Sequence, residues 1–160
     1  MRTSFINALL EEARKDARII LIVGDLGYGV VDGFRTELPN QFINIGINEQ
    51  SMMSAAAGLA SEGFRPFVYS IGNFPTLRCL EQIRNDVCFM NLPVTFVAVG
   101  AGFAYGTSGY SHYLIEDISI LRGLPNLRIF APVDQNDSRT SVYAAWTCIE
   151  RRPSPRNQWR

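Results

Sequence analysis

The sequence predicts an α/β domain of three layers, with helices on both faces of a mostly parallel sheet. Segments with apolar residues at helical spacing alternate with short apolar runs along the chain. Those runs are continuous instead of alternating with polar residues, as in strands covered on both faces. The length of 160 residues, 47% hydrophobic and 19% charged, suffices for one buried core and not for two.

Phe5, Ile6, Leu9, Leu10 and Ala13 recur at the spacing of one helix face. The run 19–23 is short, β-branched and closed by Gly24, the mark of a buried strand. Residues 26–38 read as a loop and then a short helix, because Gly27, Gly29 and Gly33 interrupt the helical pattern and Pro39 ends it. Strands are then expected at 42–45, 66–71 and 94–99, and helices at 48–62 and 74–90. A glycine-rich loop follows over 100–111, then a helix at 115–124, a strand at 127–130 and a last helix at 135–149. The domain is expected to occupy 1–150. Residues 151–160 are polar, carry Pro153 and Pro155, and read as an irregular tail.

Fifteen basic residues balance fifteen acidic ones. A neutral chain offers no electrostatic footprint for nucleic acid and no basic face for a membrane, so neither partner is expected. Cys79, Cys88 and Cys148 form no close pair, and His112 is the only histidine, too few for a Cys/His zinc set. No metal site within the chain is therefore expected, and a reducing cytoplasm is the simplest setting. No stretch reaches the ~20 apolar residues of a membrane span, and no apolar signal core precedes Glu11.

In open α/β sheets ligands sit beyond the carboxyl ends of the strands, which directs attention to the loops after Val23, Ile45, Ile71 and Val99. After the second strand, Asn48 can cap the next helix and Glu49 falls in its first turn. A carboxylate there is stabilised by the helix dipole and needs no further role, so spacing alone leaves Glu49 open to either reading. The small residues from Ser54 to Ala60 would let another backbone approach closely, from a second chain or from the sheet. The loop after Val99 carries Gly100, Gly102, Gly106 and Gly109 with Tyr105, Tyr110 and His112. It suits a backbone passing close to a ligand, or a merely irregular loop. It is no dinucleotide fingerprint, since the third glycine is one residue late, and no serine-hydrolase elbow, since neither Ser108 nor Ser111 has glycines at both offsets. Glu81, Arg84, Glu116, Asp117 and Arg122 read as surface charges, with Glu116 and Asp117 placed to cap a helix after the loop.

Several segments taken in order resemble the pyrimidine-binding domain of transketolases and of their split, two-chain relatives. They are Phe42-Ile43-Asn44-Ile45-Gly46-Ile47-Asn48-Glu49-Gln50, the small-residue helix, Pro66-Phe67-Val68-Tyr69-Ser70, Glu81-Gln82-Ile83-Arg84-Asn85-Asp86-Val87, and Gly109-Tyr110-Ser111-His112 leading to Glu116-Asp117. The resemblance covers about residues 5 to 150 and extends to deoxyxylulose-phosphate synthase and the beta subunits of 2-oxoacid dehydrogenases.

The resemblance implies the thiamine-diphosphate-binding fold and a set of roles. Glu49 would bond the N1′ atom of the cofactor's aminopyrimidine and help activate it, Phe74 would stack on that ring, and Asp25 would join them in cofactor binding. His112 would face the substrate and assist the chemistry. Ser108 stands where transketolases carry an aspartate that reads a donor hydroxyl, and Gly100 where they carry a phosphate-binding histidine. Sugar-phosphate specificity is therefore expected to differ.

The family's Gly-Asp-Gly followed by Asn, which holds Mg²⁺ and the diphosphate, has no counterpart here. A partner chain is expected to supply that half, in a homo- or hetero-oligomer, and the chain to be inactive alone. The implied reaction is transfer of a two-carbon ketol unit between sugars. The alternatives are a beta-subunit-like component of a 2-oxoacid decarboxylating complex and a truncated, non-catalytic interaction module.

Overall fold

The computed structural model describes residues 1–150, with side chains over 1–145; the expected tail at 151–160 lies outside the described residues. Four parallel strands, β1 (Ile19–Val23), β2 (Phe42–Asn44), β3 (Arg65–Ile71) and β4 (Thr95–Val99), lie in the order β2-β1-β3-β4. The register aligns Val23 with Asn44 and Tyr69, and Ile71 with Val99, so the loops leaving the strands emerge along one rim.

All five residues of β1 are buried because both faces of the strand are covered. Ile19, Leu21 and Val23 join a core with α1 (Arg2–Ala13), α2 (Asp32–Glu37) and α7 (Gln135–Glu150). Ile20 and Ile22 point the other way, into a second core with α3 (Glu49–Ser61) and the helical turns of residues 80–92. The period-two alternation of a strand thus divides one apolar run between two layers. The three-layer α/β/α architecture with a parallel sheet is the expected one.

Gln41 closes the carboxyl end of α1. It is buried, and its Nε2 donates to the carbonyls of Ala13, Asp16 and Ile19 at 3.0, 3.1 and 2.9 Å. The carbonyl of Ala13, at the helix end, is thereby given a donor inside the protein.

Four expectations need correction. Asn48 holds the cap position of α3, but its side chain makes no capping bond. The helix expected over 74–90 is broken into α4 (Asn73–Thr76), α5 (Leu80–Gln82) and a wide π-helical turn, Ile83–Phe89. The break has a local cause. The Arg78 N–H reaches back to Asn73 O, and the Phe74 carbonyl accepts from Cys79 Sγ at 3.3 Å in place of the Arg78 amide an unbroken helix would use.

The helix expected over 115–124 shrinks to α6 (Asp117–Leu121), closed by Gly123 and Pro125, and Glu116 at its start makes no side-chain cap. Residues 127–130 are not a strand. They make no ladder bonds with β4, and both segments line a cavity of about 370 Å³ that Phe96, Ala98, Leu127, Ile129 and Phe130 border. Ladder bonds need strands about 4.8 Å apart. The segment has strand composition without strand pairing.

No helix among the described residues is long and apolar enough to cross a membrane.

Candidate functional site

The rim formed by the strand ends is built from loops that leave all four strands. After β1, Asp25 adopts φ 55°, and its N–H donates to Asn44 Oδ1 at 3.0 Å. The same Asn44 oxygen accepts from Gly46 N–H at 3.0 Å, so one side chain pins the loops after β1 and β2 together. The Tyr28 hydroxyl donates to Asp25 Oδ1 at 2.8 Å, and this bond pushes the phenol above its ordinary pKa.

The second loop turns at Gly46 and enters α3 with Glu49 as the first helical residue, only 2% exposed. Its carboxylate lies beneath Gly24. A Cβ there would crowd Gly46 O at 3.3 Å and stand in ordinary contact with Glu49 Oε1 at 3.7 Å.

The loop after β3 supplies the aromatic wall. Arg78 Nη1 donates to Glu49 Oε2 at 2.7 Å, and its guanidinium carbon stands 4.4 Å from the centre of the Phe74 ring. Phe74 meets His112 edge to face, with centroids 5.1 Å apart and planes at 70°, and Tyr105 continues the row 6.5 Å beyond His112. Cys79 lies buried behind this wall. Burial pushes its thiol up to about 12, the nearby Glu49 carboxylate adds to the shift, and Arg78 opposes it. A thiol so protonated is no nucleophile.

The glycine loop after β4 is tied down at both ends. Gly102 and Leu114 exchange backbone bonds at 2.7 and 3.0 Å, and Asn73 Nδ2 donates to Ser111 O at 2.7 Å. Gly100, at φ 88°, lets the Tyr105 ring lie where a Cβ would stand. Ser111 Oγ lies 3.0 Å from His112 Nδ1.

The structure therefore brings Glu49, Phe74 and His112 into one row through Arg78. Asp25 sits apart, exposed on the neighbouring loop and engaged with Tyr28 and Asn44. Ser108 lies on an exposed turn, and among the described residues no side-chain hydrogen bond joins it to His112. Arg78 is the residue that sequence reasoning missed. Its one signal was its position four residues after Phe74, where helical spacing puts two side chains on one face.

Among the described residues no three His, Cys, Asp or Glu side chains gather as a metal site. The cavity at the free edge of β4 touches none of Glu49, Phe74 or His112. Concavity and chemistry lie apart there, and the candidate site is defined by its side chains.

Fold and site define a parallel α/β domain that presents a buried helix-start carboxylate beside an aromatic face at its strand ends. The family of the transketolase pyrimidine-binding domain matches residues 1–155, and the chain belongs to that family.

Among curated relatives, a 1-deoxy-D-xylulose-5-phosphate synthase of Lawsonia intracellularis is 40% identical over 142 residues, 88% of this chain and 22% of the synthase. One of the subunits of the apulose-4-phosphate transketolase of Phocaeicola vulgatus is 38% identical over 142 residues, 88% of this chain and 46% of that protein. A putative transketolase C-terminal section of Methanocaldococcus jannaschii is 38% identical over 143 residues, 89% of this chain and 45% of that protein. Of solved structures, a split-gene transketolase described as an inactive beta4 tetramer matches with a TM-score of 0.79 and 35% identity, over 90% of this chain and 46% of the other. The chain thus spans between a fifth and a half of the relatives it matches.

Proposed function

We propose that this chain is the pyrimidine-binding component of a transketolase-like transferase that moves a two-carbon ketol unit between sugars. It would use thiamine diphosphate, with a partner chain holding Mg²⁺ and the diphosphate and completing an enzyme inactive without it. The observation that carries the reading is Glu49, buried at the start of α3 with Phe74 and His112 in line beside it. The transketolase components among the relatives favour this branch over a 2-oxoacid dehydrogenase.

The residues fit the aminopyrimidine end of that cofactor. A carboxylate and an aromatic face stand within the reach of one guanidinium, and such a seat receives a flat ring that bears N–H groups. When bound, thiamine diphosphate supplies the carbon nucleophile and the electron sink for breaking and making the C–C bond. Glu49 would hold a proton at a ring nitrogen of the pyrimidine, and its burial would keep water from that bond. Phe74 fixes the plane of the ring. His112, held at the edge of Phe74, faces the substrate and moves or holds a proton at its oxygen. Ser108 would take the substrate side of the same loop, and Asp25 would border the cofactor from the loop after β1.

The test is reconstitution with a chain carrying the Gly-Asp-Gly and Asn motif. Turnover of ketose donors should appear only in the mixture, and Glu49→Ala should abolish it while circular dichroism stays unchanged. Retained turnover in that variant overturns the assignment.

A further inference from the structure

Arg78 is absent from the roles assigned above, yet it makes the two contacts that define the seat. Its guanidinium is planar and carries N–H donors, and an aminopyrimidine is likewise planar and offers an amino N–H donor, with a second at a ring nitrogen when that nitrogen is protonated. It gives an N–H to Glu49 Oε2 at 2.7 Å and lies over the Phe74 ring at 4.4 Å. A guanidinium and a heterocycle cannot both occupy the space between that carboxylate and that face of the Phe74 ring.

We propose that Arg78 gates this seat: in the free chain its guanidinium fills the place of the pyrimidine, and a planar nitrogen heterocycle enters by displacing it. The proposal rests on the reading of Glu49 and Phe74 given above and adds to it the regulation of that site.

The two partners differ in freedom. The Glu49 side chain is 2% exposed and held at a helix start, whereas that of Arg78 is 45% exposed. Arg78 can therefore leave and Glu49 cannot. The backbone around Arg78 favours the same motion, because the residue lies between two short helices and its amide makes only a 3.4 Å bond back to Asn73 O.

Departure of Arg78 alone would leave a buried carboxylate unpaired, which is strongly unfavourable. Departure coupled to arrival of another N–H donor is not. The gate thus opens by exchange and keeps Glu49 paired until a ligand carrying both a donor and a face is present.

The test is titration of the full chain with 4-amino-5-hydroxymethyl-2-methylpyrimidine, followed by calorimetry and by the ¹⁵N signals of the arginine side chains. If Arg78 fills the seat about nine tenths of the time, R78A should bind this probe about tenfold more tightly than wild type. R78K, which keeps the charge without the plane, should fall between them. In wild type the probe should move the Arg78 guanidinium signal to that of a hydrated arginine. In R78A, guanidinium chloride should compete with the probe where equal sodium chloride does not. If R78A does not fold, R78Q keeps a donor for Glu49 and serves in its place.

Equal or weaker binding by the variants overturns the gate while leaving the Glu49 and Phe74 seat intact. Absence of binding to every form overturns the seat, and the gate with it.

Discussion

His112 lies against Phe74, with ring centroids 5.1 Å apart and planes at 70°. The contact joins the loop after β3 to the loop after β4, so the candidate stacking face and the candidate proton-handling group are positioned by each other. Phe74→Ala should therefore weaken cofactor binding by about 1–2 kcal/mol, from the lost aromatic face, and should also lower turnover by freeing the imidazole. His112→Ala should leave cofactor affinity nearly unchanged and lower turnover about 10²-fold. Calorimetry and steady-state kinetics on the reconstituted pair separate the two. Equal effects of the two variants on binding would contradict the division of roles.

Gln41 gives one amide to three carbonyls, those of Ala13 at the end of α1, Asp16 after it and Ile19 at the start of β1. Gln41→Ala leaves them buried without that donor and should destabilise the chain by about 2 kcal/mol. Urea denaturation should show a lower midpoint at unchanged slope.

Gly72 sits where β3 hands over to α4. A Cβ there would collide with Leu114 Cδ2 and stand 3.3 Å from Val99 O. Leu114 is buried and closes the glycine loop through its bonds with Gly102, so the collision falls on the loop that carries His112. Gly72→Ala should cost about 1–3 kcal/mol by overpacking and should broaden the amide signals of residues 102–114 in NMR spectra. Unchanged stability would show that Leu114 can repack.

Asp16 links the end of α1 to the start of the sheet. The side-chain hydrogen bonds from Arg18, then the Arg18 backbone amide and the charges of Arg18 and Arg65, hold its carboxyl below the usual aspartate value against the opposing effect of burial. A folded-state pKa depressed in this way contributes stability above the unfolded value of about 3.9 and loses it as pH falls through the lower folded value. Asp16→Asn should be less stable than wild type by about 1 kcal/mol at pH 7, with the difference vanishing toward pH ~2. Thermal melts across pH 2–7 would show this convergence, and a constant gap would exclude the linkage.

The strands were legible because burial on both faces leaves a plain trace, an unbroken apolar run such as 19–23. Residues 127–130 leave the same trace without forming a strand. Composition records that a segment is apolar, whereas pairing depends on a neighbour at ladder distance, and the sheet ends at β4 without this segment. The helix expected over 74–90 fails for a similar reason. Its apolar spacing is sound, but the Cys79 thiol competes for a backbone carbonyl and Arg78 turns toward a carboxylate 29 residues away.

Glu49 and the glycine loop were visible because a carboxylate and a cluster of glycines beyond strand ends are local features. Their alignment with Phe74 was not visible, because it depends on how far apart parallel strands set their loops.

Burial and periodicity travel with each residue. The α/β class, the division of apolar residues between two cores, the strand-end position of the chemistry and its acidic group are therefore written in the chain itself. The pairing of Arg78 with Glu49 beside Phe74, the closing of the row by His112, and the engagement of Asp25 with Tyr28 and Asn44 needed the folded molecule. Those relationships join loops from several strands, and side-chain pairing over such separations is set by the packing of the whole sheet.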